Sequence, residues 1–443
     1  MLRFGTDGVR GVALTELTPE YVRCLGAAAA SVLEGGIWLI GRDTRESGPV
    51  LEAALVDGLG SRVPSVELCG VVPTPALALM SQRRGVPAAM ITASHNPFSD
   101  NGVKIFAAGG VKLGDDVEAN IERELEREIA LASVAAQGLN EATLFDDALA
   151  QYVDHVVGLF PENALRGLRV VLDCANGAMS VAAPKVVRAL GADVRVIHAA
   201  PNGTNINAQC GATYPASLSR AVLDEHADVG LALDGDGDRV IAVDNHGHVV
   251  DGDRLIALGA LQLQAEGQLT GNTVVVTVMS NLGFHRAMEQ AGIAVVATAV
   301  GDRYVLEALD EGDFAIGGEQ SGHVIYRHLA TTGDGLLAGV RLLHHVSTTS
   351  RSLAELSGAV MTTYPQVLVN VRVDRRHPDI AAEMAAEIGV AEAALGGDGR
   401  VLVRASGTEP LVRVMVEAPT DAIAREAAEQ LAEVVRARFA AST

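Results

Sequence analysis

"VGLALDGDGDR", residues 229–239, opens as an unbroken apolar strand and ends in aspartates alternating with glycines. A strand apolar at every position is buried on both faces, as in parallel α/β layers rather than a one-sided antiparallel sheet. Two other stretches follow the same plan: "AAMITASHNP" (88–97) and "FAIGGEQSGH" (314–323) also run from an apolar strand into a polar loop. Upstream of each lies a strand, a polar loop and a helix: "IWLIGRDTRES" (37–47), "RVVLDCANGAMS" (169–180) and "TVVVTVMSNLGF" (273–284). A second strand with its loop comes between: "CGVVPTPALALM" (69–80), "VRVIHAAPNGTN" (194–205) and "AVVATAVGDRY" (294–304). This is an internal repeat of α/β units. Ligands of such units collect beyond strand C-termini, so three equivalent loops are expected to converge on one cleft.

The joins between repeats are legible. "LFDDALAQYVDHVVGLFPENALRG" (144–167) reads as a connecting helix, and "DNHGHVVDGDRL" (244–255) and "TTYPQ" (362–366) close the second and third repeats. The expected domains are 1–150, 151–252, 253–364 and 365–443, with a hinge near Pro365. The last has another pattern: "QVLVNVRVD" alternates as a strand, "GRVLVRASGTEPLVRVMVEA" reads as two strands around a loop, and "TDAIAREAAEQLAEVVRARF" is an amphipathic helix with Thr420 as N-cap. The predicted fold is therefore α/β, three similar α/β domains with mixed sheets plus a C-terminal α+β domain with an antiparallel sheet. The segment near 116–131 puts Val117, Ile121, Leu125 and Ile129 on one helical face, a solvated structural helix.

Composition limits the function. A chain of 443 residues exceeds one core, and 49% hydrophobic content supports several. No apolar run reaches the roughly 18 residues of a membrane helix, and "MLRFGTDGVRG" has no apolar signal core. Cys24, Cys69, Cys174 and Cys210 show no metal or disulfide spacing, so a reducing cytoplasm is expected. A net charge of −21 argues against nucleic acid and anionic membranes. Any phosphate must then be held by a local cluster of cations. Lysine is rare, at Lys104, Lys112 and Lys185 only.

Five stretches carry chemistry. Asp234, Asp236 and Asp238 repel one another unless a cation neutralises them, and all-oxygen donors point to Mg²⁺. Arg239 and Asn245 stand where an EF-hand needs glycine and glutamate, which excludes that loop. In "MITASHNPFSDNG" (90–102) an Asn-Pro corner fixes Ser94 after a strand. The Gly-x-Ser-x-Gly elbow is absent, and adjacent Ser94 and His95 should point apart if extended. A fixed serine can carry a phosphoryl group whose oxygens complete the coordination of Mg²⁺. "RASGTEPLVRV" (404–414) offers Ser406, Gly407 and Thr408 between Arg404 and Arg413, a phosphate grip. In "GGEQSGH" (317–323), Glu319, Ser321 and His323 share one side if the segment is extended and suit vicinal hydroxyls. "RFGTDGVRG" (3–11) exposes backbone, and Arg10 can reach an anion. No Gly-Lys pair exists, which disfavours an ATP kinase.

Taken in order, these stretches resemble the α-D-phosphohexomutase superfamily over nearly the whole chain, and "FGTDGVRG" with the glutamine of "GGEQSGH" is most similar to its bacterial hexosamine branch. The resemblance implies four domains around a central cleft. It makes Ser94 the phosphorylated residue and a Mg²⁺ ligand with Asp234, Asp236 and Asp238. Glu319 and Ser321 would hold sugar hydroxyls with His323 nearby. Arg404, Ser406, Gly407, Thr408 and Arg413 would bind the non-reacting phosphate, and Arg10, His95, Lys104 and Arg239 would line the transfer site. The implied activity interconverts glucosamine 6-phosphate and 1-phosphate through a sugar 1,6-bisphosphate, which also serves as primer, for amino-sugar and cell-wall precursor synthesis. Lys104 is the expected base, its pKa lowered by burial and neighbouring cations, with His95 the alternative. The expected partners are a small hexosamine phosphate and at most a second copy of the chain as a homodimer. Rival readings are a glucose or mannose phosphate mutase, a phosphatase with an aspartate nucleophile, and a non-catalytic sugar-phosphate sensor. "TAVGDRY" (298–304) fits the resemblance without an assigned role.

Overall fold

The computed structural model describes residues 2–131, 142–406 and 410–439. They fall into two compact units, Met1–Met279 with Gly292–Val360, and Ser280–Ala291 with Met361–Thr443.

The larger unit contains three α/β sheets with a shared core topology. In the first, Ser65–Val71, Ile37–Arg42, Ala88–Ile91 and Asp100–Ala107 lie side by side; the first three are parallel and the fourth reverses. The second repeats this with Asp193–Ile197, Arg169–Asp173, Val229–Leu233 and Val240–Asp244. The third does so with Ala294–Thr298, Thr273–Thr277, Ile316–Gly318 and Val324–Tyr326. Each four-strand core thus runs second–first–third–fourth in chain order, with only its fourth strand antiparallel. Ala88–Ile91, Val229–Leu233 and Thr273–Thr277 are buried along their whole length, as continuous apolar strands require. The first sheet extends to eight strands; Phe4–Gly5 and Gly8–Val12 add to its reversed edge.

This topology fixes the site. Ser94, Asp234 and Glu319 each follow the third strand of their sheet, where the chain turns back into the antiparallel fourth. The helix Asp115–Leu131 packs Ile121 and Leu125 into the first core, with Val117 and Ile129 partly buried beside them.

In the smaller unit, Gln366–Arg372, Leu411–Glu417 and Arg400–Ala405 form an antiparallel sheet with Leu411–Glu417 central. The helix Asp421–Phe439 covers it through Ala424, Ala428, Leu431 and Val435. Helix Leu282–Gln290 belongs to this unit, although the repeat assigns "TVVVTVMSNLGF" to the third α/β segment. Its N-cap Asn281 explains the grouping. That side chain accepts from the N–H groups of Gly283 and Tyr364 at 3.0 Å and donates to the Tyr364 carbonyl at 2.9 Å. Among the described residues no helix is long and apolar enough to cross a membrane.

Candidate active site

The Ser94 loop is bolted from beneath. Asp43 and Arg45, both fully buried, pair at 2.9 Å. The Arg45 guanidinium donates to the carbonyls of Ser94 (3.0 Å), Asn96 (2.9 Å) and Asp100 (2.9 Å), and also to that of Pro97. Asp43 accepts from Thr92 Oγ1 at 2.7 Å, and that oxygen accepts the Ser94 N–H at 2.9 Å. Asn207, from the second sheet's loops, donates to the carbonyls of Ser94 (2.8 Å) and Asn96 (3.0 Å). So constrained, Ser94 adopts φ +51°, a left-handed conformation that a serine does not choose unaided.

The strain has a visible consequence. Ser94 Oγ lies 2.6 Å from Asp234 Oδ2, so the hydroxyl of the first sheet and the acidic loop of the second meet. Gly235 permits the approach, since a Cβ there would stand 2.5 Å from the Ser94 carbonyl oxygen and 2.9 Å from Asn207 Nδ2. Gly237 then turns the chain at φ +77°. Because Ser94 is left-handed rather than extended, its Oγ comes 3.4 Å from His95 Nδ1; the expectation that the two point apart is corrected by that φ.

The three aspartates are fully buried and offer oxygens within 4.8 Å of one another. Asp236 Oδ1 and Asp238 Oδ1 are buried without a hydrogen-bond partner among the described residues. Burial, then Asp238 and Asp236, push the Asp234 carboxyl well above its usual range. Orphaned hard oxygens and mutual repulsion are what a divalent cation relieves, so this donor set fits Mg²⁺. A second cluster, Asp173, His198 and Cys210, lies elsewhere in the second sheet's loops, and there both Asp173 oxygens already accept backbone N–H groups, from Ala175 and Gly211.

Cations surround the triad. Lys104 Nζ sits 2.8 Å from Asp236 Oδ2, 2.8 Å from Asp238 Oδ2 and 2.9 Å from Asp7 Oδ2. Burial acts to lower its pKa, but the three carboxylates prevail and raise it well above the ordinary lysine value. The expected depressed lysine is thereby corrected: in this arrangement Lys104 is a held cation. Arg10 pairs with Asp7. Arg239 donates its backbone N–H to Asp234 Oδ1 at 3.1 Å and its guanidinium to His95 Nδ1. Burial, then Arg239 and Arg10, bring His95 down to about 4, so its imidazole is neutral near pH 7. Accepting from Arg239 at Nδ1 leaves the ring proton on Nε2.

Glu319 and Ser321 share a side, with Ser321 Oγ donating to Glu319 Oε2 at 3.5 Å, but His323 does not join them. The segment is the tight turn of a hairpin, with Glu319 N–H bonded to the His323 carbonyl at 3.0 Å and Gly322 N–H to that of Glu319 at 3.0 Å. Ser321 is exposed, and Glu319 is half-buried with Oε1 accepting from Gly301 N–H at 3.1 Å. His323 turns inward, Nδ1 3.7 Å from Asp238 Oδ1 and Nε2 3.4 Å from Asp302 Oδ2. Burial alone would lower its pKa; Asp238 and Asp302 raise it.

In the smaller unit, Arg404 and Arg413 are directly opposite across adjacent strands. Like charges so paired destabilise a sheet unless an anion joins them. Burial, then Arg413, lower the Arg404 pKa, and Arg413 Nε is buried without a hydrogen-bond partner among the described residues. Ser406 is buried beside them, its N–H on the Leu411 carbonyl at 2.8 Å, whereas Gly407 and Thr408 lie outside the described residues.

Sequence reasoning left Asp7, Asp43, Arg45, Lys112 and Asn207 without roles. "GRDTR" offered a signal, because two charged residues directly after a buried strand call for a buried partner.

A repeated α/β scaffold that unites a strained hydroxyl, a buried carboxylate triad and a ring of cations is that of a phosphoryl-transfer enzyme. Four family models of phosphoglucomutase/phosphomannomutase match the chain: alpha/beta/alpha domain I over residues 1–131, domain II over 150–247, domain III over 251–364 and the C-terminal domain over 368–434. The chain belongs to the phosphoglucomutase/phosphomannomutase family, the α-D-phosphohexomutases, and is an isomerase of that class. It is similar to the phosphoglucosamine mutases of Frankia alni, 51% identical over 99% of each chain, and of Saccharopolyspora erythraea, 51% identical over 98% of this chain and 99% of that one. A crystal structure of a phosphoglucomutase/phosphomannomutase family protein from Burkholderia thailandensis superposes with a TM-score of 0.80 at 25% identity, covering 98% of this chain and 97% of that one.

Proposed function

We propose that this chain is a phosphoglucosamine mutase, interconverting glucosamine 6-phosphate and glucosamine 1-phosphate through phospho-Ser94 and a 1,6-bisphosphate. The observation that carries the reading is the 2.6 Å contact between the strained Ser94 Oγ and Asp234. Relatives of full length at about half identity supply the hexosamine.

The chemistry follows from the groups present. The free hydroxyl of the sugar monophosphate attacks the phosphorus of phospho-Ser94. A sugar O–P bond forms, the Ser94 O–P bond breaks, and the hydroxyl proton leaves. After the bisphosphate turns end for end, Ser94 Oγ attacks the other phosphate and the reverse set of bonds restores the phosphoserine. Phosphoryl transfer through a loose transition state asks mainly for positioning and charge neutralisation. Lys104, Arg10 and Arg239 supply fixed positive charge. The hydroxyl proton passes to His95 Nδ1, 3.4 Å from Ser94 Oγ, as the Arg239 guanidinium leaves that nitrogen for the phosphoryl oxygens, with Lys104 the alternative base. Asp234, Asp236, Asp238 and Ser94 hold Mg²⁺, which when bound neutralises charge on the transferring phosphoryl group. Glu319 and Ser321 contact sugar hydroxyls. Arg404, Ser406, Gly407, Thr408 and Arg413 grip the phosphate that is not reacting, and the like-charge arginine pair supports that role. We place the reaction in the cytoplasm, where four buried free thiols stay reduced.

The test is a panel of glucosamine, glucose and mannose 6-phosphates with Mg²⁺ and the matching bisphosphate primer. Accumulation of glucosamine 1-phosphate above the other products supports the proposal. Release of inorganic phosphate, or isomerisation of glucose or mannose phosphate alone, overturns it.

A further inference from the structure

The tripeptide Gly301–Asp302–Arg303, at the start of helix Asp302–Gly312, has no role assigned above, yet it reaches Lys112, His323 and Glu319. Asp302 pairs with Lys112, whose Nζ also stands 2.7 Å from Asp7 Oδ1. Asp302 Oδ2 lies 3.4 Å from His323 Nε2. Arg303 reaches the helix Asp115–Leu131, at 2.6 Å from Glu118 Oε2 and 2.7 Å from Asp115 Oδ1. Gly301 N–H donates to Glu319 Oε1 at 3.1 Å. The side chains of Lys112, Asp302, Arg303 and Glu118 are 10%, 7%, 8% and 14% exposed, so the Lys112–Asp302 and Arg303–Glu118 pairs are largely desolvated, whereas Asp115 stands at the surface.

The contacts close a ring. Lys104 meets Asp7, Asp7 meets Lys112, Lys112 meets Asp302, Asp302 meets His323, His323 meets Asp238, and Asp238 meets Lys104. Carboxylates (Asp7, Asp302, Asp238) alternate with basic side chains (Lys104, Lys112, His323) around it, and it draws members from the strands and loops of all three α/β sheets. Two of the chain's three lysines are in it. A buried pair of this kind adds little net stability over an apolar replacement; its characteristic effect is to fix one register among several. The register here is that of the turn carrying Glu319.

We propose that Lys112 and Asp302 are positioning residues: their ion pair, braced by Arg303 on Glu118, holds Gly301 where its N–H orients the Glu319 carboxylate towards the sugar. This rests on the assignment of Glu319 to the sugar hydroxyls. The ion pair acts through Glu319 and His323 and touches neither the phosphoryl group nor Ser94.

The test compares Lys112→Met, Lys112→Arg and Asp302→Asn in the full chain with Mg²⁺ and primer. If Glu319 loses its orientation, KM for the hexosamine phosphate rises about tenfold in Lys112→Met and Asp302→Asn, while kcat changes less than threefold. Lys112→Arg keeps the charge and recovers most of the KM. The proposal is overturned if KM is unchanged in the methionine variant, or if Lys112→Arg is as impaired as Lys112→Met. A wild-type chain without turnover defeats the assignment of function instead. The clamp is then read from the ring ¹⁵N signals of His323, which must shift in Lys112→Met and return in Lys112→Arg; unshifted signals overturn it. Should Lys112→Met fail to fold, Asp302→Asn, which leaves the Asp7–Lys112 pair intact, gives the same KM reading.

Discussion

Replacing Arg45 with methionine probes the part of the site that neither substrate nor metal touches. Methionine matches much of the stem and removes the guanidinium. The change leaves Asp43 buried without its partner and takes a donor from four carbonyls, those of Ser94, Asn96, Pro97 and Asp100. Breaking a buried pair from one side costs about 3–5 kcal/mol. Asn207 still serves two of those carbonyls, which argues for the lower half of that range. At about 2–4 °C per kcal/mol, the melting transition should fall by roughly 6–16 °C. The loss should also depend on pH. Burial already raises Asp43 against the pull of Arg45, and without Arg45 it rises further. A carboxyl whose folded pKa is above its unfolded one is stabilised by protons, so the variant should regain part of its stability as pH falls towards 5. Turnover should drop more than stability, since relaxing φ +51° at Ser94 moves the Oγ away from Asp234. Arg45→Lys, with one ammonium for four carbonyls, should be intermediate. The assay is thermal melting by circular dichroism at pH 5 and 7.5, with turnover measured on the folded fraction. A methionine variant that melts within about 2 °C of wild type and turns over within twofold would refute the bolt.

Ser94→Ala should lose isomerisation altogether and with it the mass increment of about 80 Da that primer adds, both read by intact mass and product analysis. In EDTA, Asp234→Asn should melt above wild type, because it removes one of three mutually repelling buried carboxylates; Mg²⁺ should raise the wild-type melting temperature, with about 2.7 kcal/mol available at a hundredfold excess over Kd, and leave the variant unmoved. His95 is neutral when folded, with a pKa near 4 against an ordinary 6.5, so protons favour the unfolded chain between those values. His95→Gln should therefore flatten the loss of stability as pH falls from about 6.5 to 4, seen in urea melts across that range. Arg413→Met should cost little or slightly stabilise the sheet by ending its repulsion with Arg404, yet abolish any phosphate-induced rise in melting temperature.

The scaffold was legible because its signals are local. Buried parallel strands are apolar at every position, as in Ala88–Ile91 and Val229–Leu233, and three copies of one strand order leave a visible period. The aspartates of "DGDGD" could be read for the same reason, since repulsion between neighbours in sequence needs no tertiary knowledge. Residues that act by long-range pairing could not. Arg45 meets carbonyls some 50 positions away, and Lys112 meets Asp302 across 190. Backbone state was the other gap. One left-handed residue, Ser94, reversed the expected direction of His95, and a hairpin turn rather than an extended segment separated His323 from Ser321. Lys104 was misjudged because its charge state depends on Asp7, 97 positions upstream, together with two aspartates of the second sheet.

The central claim is that the hydroxyl held against Asp234 carries the phosphoryl group between the two ends of the sugar. Glucosamine 1,6-bisphosphate labelled in phosphate and incubated with the chain and Mg²⁺ tests it directly, with digestion and tandem mass spectrometry before and after a chase of unlabelled glucosamine 6-phosphate. Label on Ser94 that the chase returns to the sugar is the predicted result; label on an aspartate, or its appearance as inorganic phosphate, contradicts the account.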